Sequence, residues 1–252
     1  MADMKPIRLD KYLADMGAGT RSEVKNFVRK GLIRVNGETV KSPELKVDAD
    51  RDIVEYNGRC VGYADFEYYM LNKPAGCVSA TRDNVSETVL ELIVDKKRKD
   101  LFPAGRLDKD TEGLLFITND GDLAHRLLSP RHHVEKTYFA LIDGMVTEED
   151  RALFKEGVDI GEKELTLPAD LKILTSGIQS EIELTITEGK FHQVKRMFEA
   201  VGKTVTYLKR VSMGGIALDP GLRPGEYRKL TEEELEILRS QDSADIQRRI
   251  EC

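Results

Sequence analysis

The sequence predicts an α+β protein in which a small N-terminal module precedes a larger domain built on a largely antiparallel mixed sheet. Three observations carry that prediction. Alternating apolar and polar runs, the signature of half-buried strands, outnumber amphipathic helical stretches. Several of those runs are separated only by turn residues, which joins neighbouring strands antiparallel. The 252 residues exceed the size of one small module, so one or two domains are expected.

Residues 1–60 read as the small module. In "RLDKYLADMG", Leu9, Tyr12, Leu13 and Met16 recur at helical spacing. Thr20 caps a second helix, Glu23 completes a capping box, and the helix runs from Arg21 to Lys30 until Gly31 stops it. Val24, Phe27 and Val28 give this helix its apolar stripe and leave Arg21, Lys25 and Arg29 together on another face. That face is either ordinary solvated surface or a basic contact surface. "LIRVNGETV" alternates about Asn36-Gly37, a pair that favours a two-residue hairpin turn. Arg59 to Asp65 reads as a connector.

Residues 66–240 read as the larger domain. "FEYYMLNKPAG" is a strand ending in a turn, "LLFITNDG" a strand, and "DLAHRLLSP" a short helix ended by Pro130. "KTYFALIDG" is another strand, and Thr147 caps a helix over "EEDRALFKEG". "SEIELTITEG" alternates cleanly as a strand. "HQVKRMFEAVG" is a helix with Val194, Met197, Phe198 and Val201 inward, and "TVTYLKRVSMGG" is a closing strand. A last helix, Glu232 to Arg239, follows a Thr231/Glu234 capping box, and residues 241–252 are expected to fray.

Composition excludes several classes of function. Hydrophobic residues make up 40% of the chain, no run approaches the roughly 20 apolar residues of a membrane span, and the N-terminus lacks a signal-peptide core. A cytoplasmic protein is expected. Cys60, Cys77 and Cys252 form no C-x-x-C pair, the four histidines lack zinc spacing, and no Gly-rich cofactor loop occurs, so neither metal nor small-molecule cofactor is expected. The net charge is −6, yet residues 1–47 hold ten Lys/Arg against six Asp/Glu, while residues 229–252 hold four against seven. The basic end is able to touch nucleic acid while the acidic tail keeps the chain soluble.

"GRLDKDTEGLL", Gly105 to Leu115, admits three readings. It is a polar turn entering a strand, in which Asp110 or Thr111 satisfies local backbone donors. Or it heads a metal-dependent phosphatase site with an aspartyl nucleophile, although Pro103, Gly105 and Arg106 interrupt the strand such a site needs and Thr111 sits one place early. Or it places an aspartate in a sheet-lined cleft that works without metal.

The third reading gains from resemblance. "GRLDKDTEGLLFITNDG" closely resembles the signature G-R-L-D-x-D-T-x-G-L-L of the RsuA-type pseudouridine synthases. "LNKPAG", "EKTY", "EGKFHQVKRMF" and "LKRVSMGGIALD" follow in the same order. The first module resembles the S4 (αL-type) RNA-binding domain through Arg8, Leu9, Asp10, Leu13, Arg21, Gly31, Val35, Asn36 and Gly37. It departs where the S4 pattern has Ser-Arg and this chain has Arg21-Ser22, which implies a small change of contact. Together the resemblances span almost the whole chain.

The resemblance implies a pseudouridine synthase catalytic domain that isomerises a uridine by detaching the base, rotating it and rejoining it through C5, without metal or cofactor. It implies Asp108 as the nucleophile or the group assisting bond cleavage, Tyr138 as the ring that stacks on the uracil, and Lys195 as the cation beside Asp108. Lys195 and Arg196 lie early in a helix, where positive charge is mildly unfavourable unless an anion is close, so they either face an anion or point into water. Arg196 goes to phosphate or to a structural acid, and Arg106 fills the space of the flipped base or contacts phosphate. Arg8, Arg21, Lys25 and Arg29 are the RNA contacts of the S4 domain. The implied partner is ribosomal RNA or an assembling subunit, met by a monomer. "KFHQVKRMF" and the short tail lean toward small-subunit (16S) RNA. A large-subunit (23S) synthase of the same family is the alternative, and a non-catalytic S4 ribosome-assembly protein is the alternative of another class.

Overall fold

The computed structural model describes residues 6–63 and 66–240. The chain divides into two compact units, one containing residues up to Glu67 together with Val94–Leu101, the other Tyr68–Ile93 and the chain from Phe102 onward. The tail expected to fray, 241–252, lies outside the described residues.

The first unit runs β1 (Ile7–Arg8), α1 (Leu9–Asp15), α2 (Arg21–Arg29), β2 (Ile33–Val35), β3 (Glu38–Thr39), β4 (Lys46–Val47), β5 (Val54–Tyr56) and β6 (Arg59–Cys60). The capping box forms at α2: Glu23 N–H donates to Thr20 Oγ1 at 3.2 Å, and Thr20 N–H to Glu23 Oε2 at 2.7 Å. Val24 and Val28 turn inward onto Leu9, Leu13 and Ile33, each burial contributing about 1.5–3 kcal/mol. Asn36 and Gly37 both take positive φ, 51° and 81°, as the tight β2–β3 hairpin requires. The expected connector is partly strand: Arg59 and Cys60 pair with Tyr56 and Glu55, because Asn57-Gly58 makes a second tight turn.

The R-L-D string has a structural role here. Asp10 is buried and accepts from Arg8 Nε at 3.1 Å, Arg8 Nη2 at 3.0 Å and Arg21 Nη2 at 2.9 Å. Burial pushes the Asp10 carboxyl up, and the hydrogen bonds from both arginines outweigh it, holding the group below the usual carboxylate range. The displaced arginine of the Arg21-Ser22 order thus closes onto α1.

The second unit contains β7 (Tyr68–Lys73), β8 (Phe102–Pro103), β9 (Glu112–Thr118), α3 (Gly121–Leu128), β10 (Lys136–Asp143), α4 (Glu148–Glu156), β11 (Asp170–Thr175), β12 (Gln179–Ile186), α5 (Gln193–Ala200), β13 (Thr204–Met213), β14 (Ile216–Ala217), β15 (Tyr227–Lys229) and α6 (Glu232–Arg239). Its nine-stranded sheet has the order β11-β12-β10-β13-β9-β7-β15, with β14 on β13 and β8 on β9. Among the described residues every pairing in it is antiparallel except β13 with β9, which run parallel through Lys209↔Glu112 and Arg210↔Gly113. This is the largely antiparallel mixed sheet that the alternating runs predict.

Helices cover the sheet. Leu123 and Leu127 of α3 and Leu238 of α6 pack with Met70, Leu114 and Phe116. Phe198 of α5 meets Phe154 of α4 edge to face, 5.0 Å between centroids. Val201, expected as an inward position of α5, is its C-cap and only half-buried. No helix among the described residues is long and apolar enough to cross a membrane.

Candidate active site

The parallel seam of the sheet positions the site. Gly113 has φ +101°, and a Cβ there would lie 2.2 Å from the carbonyl oxygen of Arg210, so only glycine lets β9 and β13 approach this closely. Just before β9 the chain makes the Gly105–Thr111 loop, in which Thr111 N–H closes a turn on Asp108 O at 3.1 Å. Ser79 clamps the loop from one side, donating to Leu107 O at 2.9 Å and accepting from Leu107 N at 3.1 Å. From below, the fully buried Lys73 gathers three carbonyls: Thr111 at 2.8 Å, Pro74 at 3.1 Å and Lys109 at 3.3 Å. The lysine and proline of "LNKPAG" thus brace the turn that carries Asp108.

Opposite this loop, α5 begins. His192, its N-cap, is left-handed with φ 49°, and its Nε2 stands 3.5 Å from Asp108 Oδ1. Lys195, in the first turn, reaches Asp108 Oδ2 at 3.4 Å and holds Asp110 by both carboxylate oxygens, at 2.7 and 2.9 Å. Lys195 thus faces an anion, with two carboxylates in reach, and its closer partner is Asp110. Desolvation pushes the Lys195 ammonium down, but the Asp110 hydrogen bond and the charges of Asp108 and Asp110 overcome it and raise the group. Buried Gln193 fixes the loop ahead of the helix, donating to Glu188 at 2.9 Å while its Oε1 accepts from Lys190 N at 2.9 Å.

Tyr138 completes the wall. Along β10, Lys136, Tyr138, Ala140 and Ile142 are buried on one face, while Phe139 turns to the other and meets Tyr207. Of the two aromatic residues that alternation separates, Tyr138 is therefore the one at the cleft. Three recesses share Arg106, Asp108 and His192 as walls, which makes them one cleft; Tyr138, Ile186 and Leu208 line its inner part. Arg106 stands exposed at its rim.

The other predicted contacts divide. Arg196 turns away from the cleft: it donates to Glu162 at 2.8 Å, to Phe191 O at 3.0 Å and to Ile160 O, so it serves a structural acid and two carbonyls. Arg8 and Arg21 are committed to Asp10, Arg8 also pairing with Glu44 at 3.0 Å. Lys25 and Arg29 are exposed on α2 and pair with no carboxylate among the described residues. Sequence reasoning missed Lys73, Asp110, Lys136, His192 and Arg210 as site residues. All five lie inside the quoted strings, but nothing in those strings marks Lys73, Lys136 and Arg210 as buried, or Asp110 and His192 as neighbours of Lys195 and Asp108.

The arrangement presents one half-exposed carboxylate, Asp108, between a lysine and a histidine, facing a buried tyrosine ring over an apolar floor. Such a site can deliver a carboxylate to a flat, uncharged ring system slotted against the tyrosine. Among the described residues no three His, Cys, Asp or Glu side chains cluster so as to hold a metal ion.

Comparison with known proteins bears on the family of the chain. Residues 67–200 match the family described as RNA pseudouridylate synthase, and residues 7–53 match the S4 domain. An uncharacterized RNA pseudouridine synthase of Bacillus subtilis, YtzG, is 51% identical over 92% of this chain and 98% of its own. The ribosomal small subunit pseudouridine synthase A of Escherichia coli is 42% identical over 91% of this chain and 98% of its own, and that of Vibrio cholerae is 43% identical over the same shares. A crystal structure of a pseudouridylate synthase superposes with a TM-score of 0.65 at 40% identity, covering 92% of this chain and 99% of that one.

Proposed function

The chain belongs to the RNA pseudouridylate synthase family, with an S4 domain at its N-terminus, and from that premise we propose that it converts one uridine of small-subunit ribosomal RNA to pseudouridine. The observation that carries the reading is the placement of Asp108 between Lys195 and His192 against the ring of Tyr138. The names of the 42–43% identical relatives support the small subunit over the large one.

In this reading the reaction is an internal exchange. The bond from C1′ to N1 breaks, a bond from C1′ to C5 forms, the proton on C5 leaves and N1 gains one. Asp108 supplies the negative charge that assists cleavage of the first bond. Lys195 and His192 hold that carboxylate in place, and Tyr138 provides the surface on which the detached uracil turns. Arg106, at the rim, occupies the space the flipped nucleotide leaves in the RNA. The S4 domain supplies affinity, with Lys25 and Arg29 as its exposed cations. The protein works in the cytoplasm, on ribosomal RNA or a subunit in assembly.

Mapping pseudouridines in ribosomal RNA from cells with and without the gene tests the proposal. One small-subunit site should vanish in the deletion and return with the wild-type chain but not with Asp108→Asn. Loss confined to large-subunit RNA would overturn the substrate assignment, and loss of no site would overturn the activity.

A further inference from the structure

Two buried cations in the cleft take no part in the carboxylate cluster just described. Lys136 is 6% exposed and Arg210 2%. Both face the recess of about 370 Å³ that also has Arg106, Asp108 and Tyr138 in its walls. Their positions follow from the sheet. Lys136 and Tyr138 are two apart on β10, hence on one face, and Tyr138 pairs directly with Arg210 of β13. A bulge between Thr137 and Tyr138 re-aims this end of the pairing, so that three long side chains converge on one recess.

Among the described residues neither cation has an anionic partner. Lys136 Nζ donates to Val134 O at 2.9 Å, and Arg210 Nε to Leu114 O at 2.7 Å. Arg210 Nη2 is buried with no acceptor, and no ion pair among the described residues includes either side chain. Buried charges are ordinarily paired, because leaving water is costly for an ion without a counter-ion. Here two like charges are held close together in the wall of the recess, and one donor of the guanidinium is buried and unsatisfied. The counter-ion is therefore one that arrives with the ligand.

Resting on the reading that a uridine of RNA enters this cleft, we propose that Lys136 and Arg210 seat a phosphate flanking that uridine. Two formal positive charges call for a charged ligand rather than a uracil carbonyl. The guanidinium is anchored through Nε on Leu114 O and keeps an unsatisfied donor, Nη2, and a planar fork of that kind suits two oxygens of a phosphate. The recess shares Asp108 and Tyr138 with the inner cleft, so a phosphate there belongs to the nucleotide whose base meets Tyr138. Burial and the neighbouring Arg210 together push the Lys136 ammonium down to about 8, and an arriving anion reverses that push. The seat thus pins the backbone while the base is detached and turned.

Calorimetric titration of the full chain with uridine, uridine 5′-monophosphate, uridine 3′-monophosphate and inorganic phosphate tests this. One of the two nucleotides should bind at least tenfold more tightly than uridine, and inorganic phosphate should bind much more weakly than that nucleotide. In Lys136→Met the margin of nucleotide over nucleoside should fall to twofold or less, and Lys136→Arg should restore part of it. Equal binding of nucleoside and both nucleotides to the wild-type chain overturns the proposal without any variant. So does a margin that survives in a folded Lys136→Met protein, or inorganic phosphate binding as tightly as the nucleotide. A phosphate margin seen equally with cytidine nucleotides would support the seat and count against the uridine reading, which separates the two failures.

Discussion

Lys195 and Asp110 form a two-pronged ion pair, Nζ to Oδ1 at 2.7 Å and to Oδ2 at 2.9 Å, while the same ammonium stands 3.4 Å from Asp108. The lysine is therefore shared between the second and first aspartates of D-K-D. Its hydrogen bond to Asp110, more than any other cause, holds the Asp110 carboxyl below the usual carboxylate range.

Lys195→Met should lower the turnover rate by roughly 100-fold, as loss of a charge next to the reacting group commonly does. Asp110→Asn should cost tenfold or less, because Lys195 is then left to Asp108 alone. The sign at Asp110 follows from linkage. A carboxyl with a depressed folded-state pKa stabilises the fold above its unfolded value and loses that contribution as pH falls through the folded one. In a carbon-detected NMR titration Asp110 should have its midpoint below about 3.9 in the wild type and move upward in Lys195→Met. An unmoved midpoint would mean that the ion pair is not populated in solution.

Asp108→Asn should reduce isomerisation to background while RNA affinity stays within a few-fold, since the amide keeps the shape and loses the charge. Release of tritium from RNA labelled at uridine C5 reads the chemistry, and filter binding reads the affinity. Appreciable turnover by the purified variant would sink the assignment of Asp108.

Lys25→Ala combined with Arg29→Ala should weaken RNA binding and flatten its salt dependence. The slope of log K against log salt should become shallower by roughly 0.7–0.9 for each phosphate that the protein no longer neutralises. Arg21→Ala should act differently. It uncovers buried Asp10, so its main effect should be on the melting temperature of the N-terminal unit. A slope unchanged in the double variant would show that RNA does not lie against the exposed face of α2.

Lys136 carries a pH signature. Its folded-state pKa of about 8 lies below the ordinary lysine value. Between those two values the unfolded chain holds a proton that the folded chain lacks, so stability gained from this group rises with pH across that window. Below it the cost of the buried ammonium is felt in full. Lys136→Met should therefore be more stable than the wild type near neutrality, by up to roughly 3 kcal/mol, and the difference in urea midpoint should shrink by pH 10. A constant difference across that range would be the wrong outcome.

Gly113→Ala should destabilise the second unit by about 3 kcal/mol or more, because it combines an unfavourable positive φ with a collision against the backbone of Arg210. A thermal melt within two degrees of wild type would show that β9 and β13 separate more easily than their spacing implies.

Local strings carry the legible part of the site. Asp108, Tyr138 and Lys195 each sit in a short contiguous motif, and the helix-start preference against positive charge leaves two places for Lys195, beside an anion or in water. The caps at Thr20 and Thr231 and the turn at Asn36-Gly37 are equally local and form as expected. Lys73, Lys136 and Arg210 are hidden for a physical reason. Strand alternation tells which face a residue takes but not that a lysine on that face is buried, and the pairing of Tyr138 with Arg210 is a long-range event. The edge strand β11 escapes notice because only Leu171 of "DLKILT" is fully buried, so its pattern reads as loop. Tyr227–Lys229 is too short to show a period.

The three carbonyls gathered by Lys73 bear on what must move when substrate arrives. With the ammonium beneath Pro74, Lys109 and Thr111 and the Ser79 clamp on Leu107, the backbone on either side of Asp108 is already tied down at several points. The carboxylate does not wait for RNA to be ordered. The conformational work of the encounter then falls on the polynucleotide, which must unstack a base to reach a rigid wall. A uridine in a loose or strained part of the RNA is for that reason easier to modify than one in a regular helix, and local RNA structure, as much as sequence, selects the target.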